Sequence, residues 1–306
     1  MSNFNEIFNN DDYMYSLRIQ SFKEKFPLYI KLMRLDKPVG ILLLLWPTLW
    51  ALWLSSEGMP SIKILLIFIL GVVIMRSAGC VINDFADRDI DGYVRRTNSR
   101  PIPNGEISPR EAIITFLFLS VLALSLVAFT NTLTLKLSFL GAFLVIIYPF
   151  MKRYTNLPQI FLGAAFAWSI PMSFAAVTNK IDGGLWFLYL AVVIWAVTYD
   201  TFYAMADRAD DLKIGIKSTA ILFGEMDLRI TACLQLLVLI LLTMTGKYFE
   251  RGIWFYISLM CVVALFTYQQ YIIRNREPAN CLSAFVNNNY VGLIIFIGLA
   301  LDYQLS

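Results

Sequence analysis

The chain has 306 residues, 58% of them hydrophobic and 15% charged, with a mean hydropathy of +0.64; a soluble domain carries about a quarter charged residues, so the composition excludes one and points to an integral membrane protein. A net charge of +3 gives no argument for a nucleic-acid partner. The chain holds no histidine, which removes histidine metal ligands and histidine bases together and leaves carboxylates, tyrosines and lysines for acid/base chemistry.

Residues 1–30 read as a polar lead-in (NFNEIFNNDDY) without a cleavable signal pattern, and 31–306 as the membrane domain. The lead-in runs into FKEKFPLYIKLMRLDKP, where Phe22, Phe26, Tyr29, Ile30 and Met33 alternate with basic residues. That spacing predicts an interfacial helix lying against the bilayer as an anchor. About nine apolar runs of membrane-crossing length follow, near 38–56, 61–82, 111–129, 133–150, 158–177, 185–205, 228–246, 252–272 and 283–303. None alternates apolar and polar residues as a barrel strand would, so the fold class is all-α, a polytopic helical bundle.

Basic residues crowd alternate connections, among them Lys31, Arg34, Arg95, Arg96, Arg100, Lys152, Arg153, Lys213, Lys217 and Arg274. The opposite side holds Lys63, Lys136, Lys180, Lys247 and Arg251. By the positive-inside rule the N-terminus faces the cytoplasm and the C-terminus faces out. Four dispersed cysteines, Cys80, Cys233, Cys261 and Cys281, make no disulfide or zinc pattern and read as small apolar fillers.

Two apolar runs end in acid on the cytoplasmic side: INDFADRDID from Ile82 and YDTFYAMADRADD from Tyr199. If the second span continues as helix, Asn83, Asp87 and Asp91 stand at i, i+4 and i+8 and line one face. Tyr203, Asp207 and Asp211 repeat the spacing, Asp200 lies seven residues before Asp207, and Asp84 and Asp210 are offset by one position. Either cluster alone is also what a solvated acidic helix end looks like. Two matched clusters on one side of the membrane call for a cation to offset the repulsion. Hard divalent ions accept such oxygens, and Mg2+ is commonly held by a few carboxylates together with substrate phosphates. The clusters therefore read as two halves of a Mg2+ and diphosphate clamp, with metal ligands Asn83, Asp87, Asp91, Asp207 and Asp211.

Arg76 lies seven residues before Asn83 on the same face and inside a span, where a charge marks a functional site or a structural ion pair with an aspartate. The connections after the clusters supply Arg95, Arg96 and Arg100, then Lys213 and Lys217, as diphosphate-binding groups or topology anchors. Tyr148 and Lys152, at i and i+4, put a phenol and an ammonium on one face at the end of the fourth span, where a lysine also commonly snorkels.

The stretches RLDKPVGILLLLWPTLWAL, RSAGCVINDFADRDIDGYVRRTNSRPI, YPFMKRYTNLPQIFLG, YDTFYAMADRADDLKIGIKSTA and NNNYVGLIIFIGLALD resemble the UbiA family of membrane prenyltransferases, from about residue 30 to the end. The resemblance implies nine helices around a central cavity in a bacterial inner membrane. It implies Mg2+ between two aspartate-rich motifs, and transfer of a polyprenyl group from its diphosphate to the carbon ortho to the hydroxyl of 4-hydroxybenzoate, in ubiquinone synthesis. Carried onto this chain, the motifs are Asn83, Asp84, Asp87 and Asp91, then Asp200, Tyr203, Asp207, Asp210 and Asp211, and the family's tyrosine and lysine pair falls on Tyr148 and Lys152. Asn287 stands where the family often has histidine. Arg76 and the loop cations would offset charge on the leaving diphosphate, and Asp200 would take the phenol proton. Two rival readings stand beside it: a family relative acting on another aromatic acceptor, and an ion-coupled transporter, which would hold charge near the midplane and show broken helices in matching halves.

Overall fold

The computed structural model describes residues 25–93 and 96–305; Phe22, Arg95 and most of the polar lead-in lie outside the described residues. Helix α1 is described over residues 25–32. Then follow α2 (Val39–Ser55), α3 (Ile62–Ala86), α4 (Pro109–Val127), α5 (Thr132–Met151), α6 (Pro158–Ala167) and α7 (Ser169–Thr178). The chain continues through α8 (Leu185–Ile214), the short α9 (Thr219–Phe223), α10 (Asp227–Tyr248), α11 (Ile253–Ile273) and α12 (Pro278–Leu305). Among the described residues eight helices are long and apolar enough to cross a bilayer, counting 158–178 and 219–248 as one each; Val39–Ser55, at 17 residues, is a shorter apolar helix. The expectation of about nine spans is met approximately, by these eight and the shorter Val39–Ser55, with boundaries that differ by up to nine residues.

The ends are set by local chemistry. Ser61, Ser108 and Asn131 accept from backbone N–H groups of α3, α4 and α5, and Ser108 with Glu111 forms a full capping box with Pro109 in the first turn. Glu111 does double duty: Lys25 of α1 donates to it at 2.6 Å and the Tyr29 hydroxyl at 3.4 Å. The expected interfacial helix is thereby tied to the body of the protein. Its Leu32 is fully buried in a cluster with Ala78, Val81, Ile107 and Phe116, while Phe26 is exposed.

Trp168 separates α6 from α7 and donates its indole N–H to the Leu137 carbonyl at 2.8 Å. Helix α8 is the most buried membrane-length helix, packed by α6, α10 and α12. It stops at Gly215, whose φ of 72° is left-handed backbone that closes a helix cheaply only at glycine. Behind it lies the main core, where Trp50 and Trp195 stack at 5.5 Å.

Apolar lipid gives buried polar groups no water partner, and several amides inside the bundle pair with one another or with indole N–H groups. Asn289 accepts from Trp46 at 2.8 Å and Asn288 from Trp195 at 2.7 Å. Asn287 accepts from Gln269 at 2.9 Å; Gln269 accepts from Gln235, and Gln235 from Gln270. This amide chain joins α10, α11 and α12.

Candidate active site

The first acidic row is built differently from a continued helix. Helix α3 ends at Ala86; Asp87 is its C-cap, and Asp91 opens a single 3-10 turn, Asp91–Tyr93. The expectation of one unbroken helical face is corrected there. The stacking survives because the backbone bonds still skip four residues: Asp87 N–H donates to the Asn83 carbonyl at 3.0 Å, and Asp91 N–H to that of Asp87 at 2.8 Å. The second row does lie on one helix, since α8 runs unbroken through Tyr203, Asp207 and Asp211.

The acids are drawn to cations. Asp84, 1% exposed, accepts from Arg34 through both oxygens at 2.9 and 2.8 Å, and from Arg100 at 2.9 Å. The same Arg100 nitrogen reaches Asp91 at 2.6 Å, so one guanidinium joins the α3 end to the 3-10 turn. Burial works to lower the Arg100 pKa, and the carboxylates of Asp84 and Asp91 overcome it and raise it. Asp87 pairs with Lys152, the C-cap of α5, and receives a 3.3 Å hydrogen bond from Asn83 on the same oxygen; its Oδ1 is buried without a partner. Burial pushes the Asp87 carboxyl above its ordinary range against the pull of Lys152. One turn before Lys152, the Tyr148 hydroxyl donates to the Gly79 carbonyl at 3.0 Å, so the tyrosine and lysine pair both face α3.

The two rows share one mouth. Arg96, from the connection after the first row, grips Asp207 of the second with contacts of 3.1, 3.2 and 2.5 Å, its guanidinium 4.3 Å over the Tyr203 ring. Asp211 is buried, has no ion pair or side-chain hydrogen bond among the described residues, and feels the charges of Asp207, Lys152 and Arg96. Asp200, deeper on α8, faces Arg76 and Gln159. The outlying members fall elsewhere: Asp210 pairs with the exposed Lys213 at 3.3 Å, and Lys217 donates to the Tyr154 carbonyl at 3.4 Å. Asn287 belongs to the amide chain among α10, α11 and α12 and not to this mouth.

Three neighbours escaped the sequence reading. Arg34 sits at a left-handed φ of 56° in RLDKPVG, and nothing local tells that it reaches Asp84 fifty residues on. Gln159, in NLPQIFLG, is buried and accepts from Thr219 N–H at 3.3 Å; a lone amide opening an apolar span was the available signal. Gly40 is the third: a Cβ there would stand 2.7 Å from the Arg76 guanidinium.

Inward from the mouth lies a cavity of about 370 Å3 between α3, α4, α5, α6 and α7. Arg76 and Tyr148 stand at its polar end, and Phe68, Met75, Phe116, Phe166, Trp168 and Met172 supply apolar wall. Leu117, Val121 and Phe139 line it while remaining exposed, so it opens to the outer surface of the bundle along α4 and α5. Arg76 lies against the Phe166 ring at 5.4 Å, and its Nε is buried without a partner.

Among the described residues no three acids already converge on one metal position. The donor set nevertheless suits a hard divalent ion: it is all oxygen and in excess, and it includes the orphaned Asp87 Oδ1, the unpaired Asp211 and the ion-paired carboxylates of Asp91 and Asp207.

The model of the UbiA prenyltransferase family matches residues 44–296. A 4-hydroxybenzoate octaprenyltransferase of Saccharophagus degradans is 63% identical over 274 residues, 90% of this chain and 92% of that protein. Among solved structures, the apo form of a UbiA homolog from Aeropyrum pernix K1 superposes with a TM-score of 0.76 at 24% identity, over 85% of this chain and 97% of that one. A UbiA homolog from Archaeoglobus fulgidus bound to GPP and Mg2+ gives 0.69 at 20% identity, over 89% and 99%. These two likenesses are of fold.

Proposed function

Because this chain belongs to the UbiA prenyltransferase family, we propose that it transfers a polyprenyl group from polyprenyl diphosphate to 4-hydroxybenzoate, at the carbon ortho to the hydroxyl. The names of its curated relatives support the aromatic acceptor and an octaprenyl donor, and with them a place in ubiquinone synthesis. The observation that carries the site is the sharing of one mouth by two acidic rows, through the grip of Arg96, from the connection after the first row, on Asp207 of the second, with the charge of Lys152, paired with Asp87, also acting on Asp211. Residues 31–306 form the catalytic domain, set in a bacterial inner membrane with the mouth and the N-terminus cytoplasmic and the C-terminus outside.

Asn83, Asp87, Asp91, Asp207 and Asp211 would hold Mg2+ together with the donor diphosphate. Bound there, the metal offsets the negative charge that grows on the leaving group. Arg96 and Arg100, paired with Asp207 and Asp91, would offer their guanidinium groups to diphosphate oxygens, a bidentate geometry arginine suits. Lys152, paired with Asp87, would offer its ammonium to phosphate in the same way. Asp84 keeps Arg34 and Arg100 in place, and Tyr203 supports Arg96 from below. Farther out, Lys213, paired with Asp210, and Lys217 add positive charge that attracts anions toward the site.

The apolar cavity receives the prenyl tail. Its aromatic walls stabilise the allylic cation and exclude water that would capture it. The donor carbon–oxygen bond breaks and a ring carbon–carbon bond forms. Asp200 holds the phenol proton during attack and returns it, and the displaced ring proton ends on diphosphate. Tyr148 and Arg76 stand where tail and mouth meet.

The test is mass spectrometry of lipid extracts after incubating purified chain with Mg2+, octaprenyl diphosphate and a panel of phenolic acids, with EDTA as control. A Mg2+-dependent octaprenyl-4-hydroxybenzoate is expected. A donor recovered chemically unchanged would instead favour transport.

A further inference from the structure

Arg76 makes no hydrogen bond or ion pair among the described residues, although the charge of Asp200 acts on it. One face of its guanidinium lies on Phe166 of α6, its Nε is sealed from solvent without a hydrogen bond, and it makes no ion pair among the described residues. Its edge lies on the backbone of Gly40, the second residue of α2: a Cβ there would stand 2.7 Å from Nε, 2.7 Å from Nη2 and 3.1 Å from Cζ. Those distances are shorter than van der Waals contact allows, so the guanidinium fits where it does only because residue 40 lacks a side chain. The positive end of a helix also repels a cation, so resting a guanidinium on the first turn of α2 does nothing for the fold. It does fix a positive group, with hydrogen-bonding capacity unspent, at the polar end of the cavity.

We infer that Gly40 is a positioning residue for the reaction: its bare backbone seats the Arg76 guanidinium between α2 and Phe166, where it receives the anionic group of a substrate. This rests on the proposed transfer for the identity of the substrates, which carry two anions, a diphosphate and a carboxylate. The clashing atoms belong to the far end of a flexible side chain. Gly40→Ala is therefore expected to move Arg76 and to leave the helix packing as it is.

The experiment is a double-mutant cycle on purified full-length chain with wild type, Gly40→Ala, Arg76→Ala and the double variant. Equilibrium binding is read by calorimetry for a prenyl thiodiphosphate with Mg2+ and, separately, for 4-hydroxybenzoate, with thermal unfolding measured in the same detergent. Gly40→Ala is expected to weaken one of the two ligands about tenfold or more, the scale of a lost charge-assisted hydrogen bond, at an unchanged unfolding midpoint. In the Arg76→Ala background the same change is expected to alter that affinity less than about twofold, because a residue acting through Arg76 has nothing left to position. Unaltered binding of both ligands in Gly40→Ala, or an equal loss in both backgrounds, overturns the assignment. Turnover of the wild type is followed in parallel. A wild type whose Arg76-dependent anion binding obeys the cycle but which yields no prenylated product overturns the proposed reaction and leaves the role of Gly40 standing.

Discussion

Replacing Asp87 by asparagine separates the cost of that carboxylate to the fold from its use in the reaction. Its side chain is 3% exposed, with one oxygen on Lys152 and the other without a partner. An unsatisfied buried acceptor costs about 1–3 kcal/mol, more when charged. Asparagine removes the charge and most of that cost, but it gives up the pair with Lys152, whose side chain is 19% exposed and can turn to water. The two effects are of similar size and opposite sign, so the unfolding free energy is expected to change by less than about 1 kcal/mol, a few degrees in Tm. Activity has no such compensation. An amide cannot offset a divalent charge, and losing one electrostatic contact of this kind costs about a thousandfold in kcat, or roughly 4 kcal/mol of barrier. Initial rates from a radiolabelled donor, with thermal melts of the same samples, read both quantities. A kcat within tenfold of wild type refutes the place of Asp87 in the clamp. A large loss of stability refutes the reading of its orphaned oxygen as a burden carried for function.

Arg96→Lys keeps the charge and loses the fork that grips Asp207; KM for the prenyl diphosphate is expected to rise about tenfold, with KM for 4-hydroxybenzoate unchanged in steady-state kinetics. Gln235→Leu leaves the amides of Gln269 and Gln270 without their partner, so stability should fall by about 1–3 kcal/mol in denaturation assays while both KM values hold. In a cysteine-free background, Lys180→Cys should react with a membrane-impermeant maleimide from outside intact spheroplasts and Lys213→Cys only after permeabilisation; the reverse pattern would invert the proposed orientation.

Most of the membrane plan was legible because crossing lipid demands an apolar run of fixed length, and such runs are visible one residue after another. The acidic rows were legible for a similar reason, since spacing by four puts Asp207 over Asp211 whenever the helix is whole. That logic missed the end of α3: apolar continuity says where lipid stops, not where a backbone turns, and Asp87 stands at the turn. Ion pairs across long separations were the least legible. Arg100 could be seen as a nearby loop cation, but its bridge from Asp84 to Asp91 depends on the chain folding back over α3. The contact between Gly40 and Arg76 was invisible, because a missing side chain leaves no mark in hydropathy.

The gap along α4 and α5 bears on how the protein meets a long isoprenoid substrate. A long isoprenoid need not be pulled out of oil and threaded into a sealed sleeve; only its reactive tip has to be drawn sideways to the diphosphate grip while the remaining units stay among acyl chains. The work of wetting that hydrocarbon is never done, and a modest chamber can process tails far longer than its own depth.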